Sequence, residues 1–115
     1  KQRKAFGQTV SQFQNTRFKL AQSQTELELC RALLEKHMLK YKRDEMTVTD
    51  AAMLKLAATE MQLTMVNECL QLFGGYGYTD EYPISRFYRD ARIQTIYAGS
   101  SEIMKEVIAR DILGR

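Results

Sequence analysis

The sequence predicts an all-α fold, an up-and-down helical bundle, and three observations carry that expectation. Apolar residues recur at helical spacing over two long stretches. The lone proline, Pro83, and the paired glycines Gly74 and Gly75 fall between periodic segments, not inside them. No stretch alternates apolar and polar residues over a strand's length, so four helices and no strand are expected.

The first helix is expected from Val10 to about Tyr41. Val10, Phe13, Leu20, Leu27, Cys30, Leu34, Met38 and Tyr41 are spaced by threes, fours and sevens, the seam of a bundle helix about 48 Å long. Gln14, Arg17 and Gln24 interrupt this seam and would each cost roughly 1–3 kcal/mol if buried without a partner. Lys42 to Met46 breaks the pattern as a turn, and Thr47 with Asp50 three residues on forms a helix-capping pair. The second helix carries one stripe through Val48, Ala52, Leu56, Thr59, Leu63, Val66, Leu70 and Phe73. A second stripe runs beside it through Leu54, Ala58, Met61, Met65, Cys69 and Leu72. So wide an apolar arc requires a central helix or one pressed on another subunit. Gly74 and Gly75 then end it in a left-handed bend. Pro83 suits the first turn of a short third helix with Ile84, Phe87 and Ala91 on its apolar side and Arg86, Arg89 and Arg92 opposite. Ile96 and Tyr97 belong to a brief extended connector, and Ser100 caps a last helix carrying Ile103, Val107, Ile108 and Ile112.

At 115 residues, 44% hydrophobic and 27% charged, the chain is one domain by length. A net charge of +3 with interspersed signs argues against nucleic acid or an anionic membrane as main partner. No apolar run approaches the roughly 18 residues of a membrane span, and no secretory signal pattern opens the sequence. Cys30 and Cys69 stand apart on helical patterns as buried free thiols of a reducing compartment. With His37 the one histidine, a histidine metal site or triad is not expected. The first residue is Lys1, with no methionine, so a fragment of a longer chain is expected.

Four constellations invite chemistry, and each has a plain reading beside it. The run Gly74-Gly75-Tyr76-Gly77 lacks the strand before and the helix directly after that a phosphate loop needs. It reads as helix termination and a tight turn, yet it exposes backbone against which a ligand could lie. Lys1 to Gly7 holds three bases in four residues: a solvated end, or a site where Arg3 offers its planar fork to a phosphate beside Phe6. Ala98-Gly99-Ser100-Ser101 puts small residues before a helix, either as a plain cap or to let an anion or polarised carbonyl reach free N–H groups. Arg89, Asp90 and Arg92 read as a structural salt-bridge cluster.

Together and in this order these segments resemble the C-terminal helical domain of the acyl-CoA dehydrogenases, closest in type to the long-chain enzymes. The residues that carry the resemblance are Arg3–Gly7, Phe13, Gln14, Leu20, Ala21, Gln71–Pro83, Arg89–Ile93, Ile96–Met104 and Ile108–Arg110. It spans residues 1–115 and implies a FAD enzyme that desaturates acyl-CoA thioesters and passes electrons to an electron-transfer flavoprotein. It also implies a homo-oligomer, tetramer or dimer, in a mitochondrial matrix or bacterial cytoplasm. Carried over by residue, Arg3, Phe6, Phe13 and Gln14 would contact the FAD of a neighbouring subunit, and Gln71, Leu72, Phe73, Gly74 and Gly75 would line its adenosine half. Ser100 and Glu102 would touch the cofactor of their own subunit. Tyr97, Ala98 and Gly99 would lie beside the acyl thioester, with Arg110 near the coenzyme A entrance.

Ala98 departs from the many members that hold their catalytic glutamate at that position. A methyl group cannot abstract a proton, so the resemblance implies a base on a helix preceding Lys1 and no catalytic residue within this chain. Glu102 is a poor substitute, because a helix first turn stabilises its charge. No metal is expected. The rival readings are an acyl-CoA oxidase or flavin monooxygenase on the same fold, and a non-catalytic helical oligomerisation module.

Overall fold

The computed structural model describes residues 3–114; Lys1, Gln2 and Arg115 lie outside them. Among the described residues there are four α-helices: α1 (Gln14–Lys42), α2 (Val48–Phe73), α3 (Pro83–Gln94) and α4 (Ser101–Leu113). A two-stranded antiparallel hairpin, β1 (Lys4–Ala5) and β2 (Gln8–Thr9), precedes them, with Lys4 opposite Thr9 and Ala5 opposite Gln8. The all-α class holds, but the expectation of no strand fails here. A pairing two residues long has no periodicity to detect, and it is set by the turn alone. Phe6 and Gly7, with φ of +51° and +80°, form that turn, and positive φ at both central residues is the type I′ geometry that matches strand twist.

α1 starts later than its apolar pattern suggests. Val10–Gln12 forms a 3₁₀ turn, and Phe13, in extended backbone with φ −67° and ψ 134°, is the residue from which the helix departs. Thr47 caps α2 as expected. Its hydroxyl accepts from the Asp50 N–H at 3.1 Å, and the Asp50 carboxylate accepts from the Thr47 N–H at 3.0 Å. Gly74 ends the helix with φ +63° and ψ −148°, a region open to glycine but not the left-handed helical well. Gly75 keeps a negative φ within the 3₁₀ turn Gly74–Tyr78, so one glycine does the stopping, not two. Pro83 opens α3 as expected.

α2 is central and packs on α1, α3 and α4, as its two stripes suggested. The face that α1 turns inward overlaps the predicted seam only at Leu27 and Cys30. Thr16 and His37 are its buried residues, with Lys19, Ser23, Leu27, Cys30, Leu33 and Lys40 half-buried between them. Leu20, Leu34, Met38 and Tyr41 remain exposed beside this seam. Gln14, Arg17 and Gln24 are exposed, so the burial cost anticipated for them does not arise. Phe87 too is exposed, and Cys30 and Cys69 are free thiols but only half-buried.

Fully buried hydrophobic side chains are few among the described residues: Ala52, Ile84 and Ala91. The radius of gyration is 17.5 Å, where a compact chain of this length would measure about 13 Å. The molecule is an elongated body of 57 × 26 × 24 Å whose apolar faces are largely uncovered. No described helix is long and apolar enough to cross a membrane.

Candidate functional site

The candidate residues gather at two bends at opposite ends of α2. Lys55 and Phe73 mark them, 18 residues apart in α2, or about 27 Å at 1.5 Å per residue.

The first bend joins the N-terminal hairpin to the end of α2. The Val10 N–H donates to the Arg3 carbonyl at 2.9 Å, which carries the hairpin back over the start of α1. From there Arg3 Nη1 donates to the Leu72 carbonyl at 2.8 Å. That carbonyl is among the last of α2, where the helix leaves acceptors without an intrahelical donor. The guanidinium lies over Gly74 so closely that a Cβ on that residue would fall 2.5 Å from Nη1. A Cβ on Gly75 would meet nothing within 4 Å. Phe6 stands 98% exposed and meets Phe13 edge-on, ring centroids 6.4 Å apart. A bulky residue with positive φ and an almost fully exposed ring pays strain with little contact to offset it within this chain. Gln14 and Gln71 are exposed, Leu72 is half-buried and Phe73 is 40% exposed. Tyr82 packs against Phe73 at 5.7 Å and Tyr76 at 6.0 Å, forming an aromatic wall beside the glycines.

The second bend is the turn between α3 and α4. Where an extended connector was expected, the Ile96 and Tyr97 N–H groups both donate to the Ile93 carbonyl, at 3.0 and 3.1 Å, and the chain curls tightly. Ala98 and Gly99 follow with φ of +52° and +96°. For alanine such a conformation costs about 1–2 kcal/mol. A Cβ on Gly99 would lie 2.5 Å from the Met104 methyl, so that flexible side chain would have to shift, and the positive φ is the main reason for glycine. Among the described residues the N–H groups of Ala98 and Gly99 have no hydrogen-bond partner. Ser100 caps α4 as expected, its Oγ accepting from the Ile103 N–H at 3.4 Å. Glu102 is held below the usual carboxylate range, first by the Ser100 hydroxyl and then by its own backbone N–H, with Lys105 and Arg92 adding attraction. Its reduced basicity agrees with the sequence expectation.

Lys55 and Glu60 complete this bend, and sequence reasoning missed both. Lys55 Nζ donates to the carbonyls of Gln94 at 3.0 Å and Gly99 at 2.7 Å. The Ser101 hydroxyl, buried, donates to the Glu60 carboxylate. The available signal was a lysine set inside the apolar run from Ala51 to Ala58.

Arg110 stands apart from both bends. It sits in the last turn of α4 and pairs with Glu106 through Nε at 2.8 Å. The expected cluster around Asp90 does not form: Arg89 reaches Asp80 at 3.4 Å, and Arg92 donates to the Thr95 hydroxyl at 2.6 Å. These partners lie beyond α3 and so escape helix-spacing arguments. Near the α1–α2 turn, Asp50 is held far below the usual range, chiefly by the Lys40 ammonium at 2.5 Å and then by the Thr47 N–H. Buried His37 brings Nε2 within 3.3 Å of Asp50 Oδ1, without the alignment of a hydrogen bond. No cluster of three metal-binding side chains occurs among the described residues.

Two surface depressions are lined by none of the candidate residues. A groove of about 360 Å³ runs between α1 and α2, lined by Phe18, Lys19, Ser23, Glu26, Thr64 and Glu68. Another hollow is framed by Asp80, Glu81, Pro83, Arg86 and Arg89.

Comparison with known proteins now bears on this arrangement. Residues 1–113 match the family described as acyl-CoA dehydrogenase, C-terminal domain. The pig mitochondrial long-chain specific acyl-CoA dehydrogenase is 45% identical over 98% of this chain and 26% of its own length. The short-chain specific acyl-CoA dehydrogenase of Megasphaera elsdenii is 38% identical over 98% of this chain and 30% of its own. The crystal structure of an acyl-CoA dehydrogenase from Geobacillus kaustophilus superposes with a TM-score of 0.93 at 44% identity, covering 97% of this chain and 30% of that one. The chain thus spans between a quarter and a third of the relatives it matches. In sequence and in fold, this chain belongs to the acyl-CoA dehydrogenase family and corresponds to its C-terminal helical domain.

Proposed function

We propose that residues 1–115 form the cofactor-completing and oligomerising domain of a FAD-dependent acyl-CoA dehydrogenase, which desaturates acyl-CoA thioesters and passes the electrons to an electron-transfer flavoprotein. The observation that carries this reading is the pair of bare-backbone bends. One is crowned by the Arg3 guanidinium over Gly74, and the other presents the unpartnered N–H groups of Ala98 and Gly99.

The first bend suits a dinucleotide. Arg3 keeps donors beyond the one given to Leu72, and a planar fork beside a strip of backbone without Cβ atoms matches a diphosphate passing over it. Arg3, Phe6, Phe13, Gln14 and Gln71–Gly75 would hold the FAD there. Held there, the FAD would supply a hydride acceptor for the β-hydrogen of the substrate. About 20–27 Å of α2 separates this bend from Glu60 and Lys55, the residues that hold the start of α4 where Ser100 and Glu102 lie. That distance supports a division in which Arg3 serves the cofactor of a neighbouring subunit while Ser100 and Glu102 touch their own.

At the second bend, Tyr97, Ala98 and Gly99 would face the thioester. N–H groups aimed at its carbonyl would stabilise the charge that develops as the α-proton leaves. Ala98 offers no base, and the first turn of α4 stabilises the Glu102 carboxylate as an anion. The α-proton would therefore go to a carboxylate outside this chain, and Arg110 would stand at the coenzyme A entrance. The exposed apolar side chains on α1 support a subunit interface in a tetramer or dimer. Mitochondrial matrix and bacterial cytoplasm both fit this reading.

Gly75→Ala tests it in the full-length protein. The added methyl has open space and no positive φ to violate, so folding is expected to stay unchanged. If a nucleotide lies on that backbone, FAD retention on dialysis falls. Wild-type flavin content in a folded Gly75→Ala protein would favour a helical module without a cofactor role.

A further inference from the structure

We infer that Lys55 is a positioning residue for the reaction, an α2 side chain that fixes the Tyr97–Gly99 turn against the acyl thioester. The inference rests on the reading of that turn as the thioester-facing bend.

The turn's own backbone bonds cover only its margins. Ile96 and Tyr97 donate back to Ile93, and the Ser101 N–H donates to the Thr95 carbonyl at 3.0 Å. Between them Ala98 and Gly99 hold positive φ with no backbone donor engaged. Ala98, a non-glycine residue in that region, carries strain that its surroundings must hold. Lys55 supplies that hold. Its ammonium bridges the Gln94 carbonyl at 3.0 Å and the Gly99 carbonyl at 2.7 Å, one on each side of the curl.

Both bonds are charge-assisted and partly buried, so they are stronger than the neutral bonds they stand beside. The Gln94 carbonyl ends α3, where the helix dipole favours a cation. Five residues further along α2, Glu60 takes the Ser101 hydroxyl and ties the start of α4 to the same helix. The turn therefore moves with α2 as one body. Loss of Lys55 leaves the packing of α2 on α3 and α4 in place while freeing the curl, which is the signature of a group that orients and does not react.

The test uses the full-length flavoenzyme with Lys55→Met, which keeps the stem and removes the charge, and Lys55→Arg, which restores donors. Turnover of an acyl-CoA, flavin-to-protein ratio, and the flavin absorbance change on binding a non-oxidisable acyl-CoA analogue are read together. For Lys55→Met we expect kcat/KM to fall about 100-fold, mostly in kcat, the scale of a misplacement near 1 Å. Flavin content should hold, the analogue-induced absorbance change should be altered, and Lys55→Arg should recover most of the loss. The inference is overturned if Lys55→Met keeps kcat/KM within about threefold, if Lys55→Arg is equally impaired, or if lost activity merely follows lost flavin. Should Lys55→Met not fold, Lys55→Gln, which keeps one donor group, is judged by the same outcomes. Gly99→Val separates the two levels. Intact turnover in that variant removes the thioester-facing reading and this inference with it. A crippled Gly99→Val beside an active Lys55→Met removes this inference alone.

Discussion

The two bends of α2 are built on opposite plans. The Ala98–Gly99 turn is gripped from beneath by Lys55 and Glu60, so its unusual backbone is braced within the chain. Among the described residues, the Arg3–Gly74 bend is tied by one guanidinium–carbonyl bond, with Phe6 standing in solvent at 98% exposure. A braced bend is ready before its ligand arrives. An unbraced one gains its remaining contacts from whatever binds there. On the proposed reading, the same helix would carry one surface that the fold completes and one that assembly would complete.

The largest effect should come from Gly74→Ala at the open bend. A Cβ there combines forbidden backbone with a clash on Arg3, and strain of this kind costs about 1–3 kcal/mol. We expect FAD affinity of the full-length protein to fall about 100-fold, measured by fluorescence titration of the apoprotein. Arg3→Ala comes next, weakening FAD by about 1.5–3 kcal/mol as a charge-assisted contact is lost. If Gly74 matters because it seats Arg3, the double variant should be little worse than Gly74→Ala alone.

An acid titration probes the braced half through the cap of α2. The folded-state pKa of Asp50 is depressed, first by Lys40 and then by the Thr47 N–H. Its stabilisation is therefore fully present above the ordinary aspartate value of 3.8 and is lost progressively as the pH falls below it. Thermal melts from pH 6 downward should show the midpoint falling in that window, and Asp50→Asn should flatten the dependence. The smallest effect is expected from Ala98→Gly. Relief of about 1–2 kcal/mol of strain is offset by about 0.5–1 kcal/mol of glycine entropy. Stability should rise by no more than about 1.5 kcal/mol, as measured by urea unfolding.

Much of this was legible in the sequence because caps and helix breaks are local. Thr47 with Asp50, Pro83, Ser100 and the stop at Gly74 all work through neighbours within four residues. The placement of α1 was misread for a different reason. Leu20, Leu34, Met38 and Tyr41 form a true apolar stripe, but periodicity reports that a face is apolar and not what covers it. The face that meets α2 carries Thr16, Lys19 and His37 in its place. Lys19 pairs with Glu68, and His37 lies 3.3 Å from Asp50, so polar residues take part in the contact that periodicity assigns to apolar ones. Lys55 escaped for the same reason: its carbonyl partners lie 39 and 44 residues away.

The stripe on α1 also bears on the lifetime of the protein in a cell. A freshly made copy shows Leu20, Leu34, Met38 and Tyr41 to chaperones and proteases until something screens them. Amino-acid changes along that face would then be felt as scarcity, with fewer molecules surviving to work, while each survivor kept its normal speed.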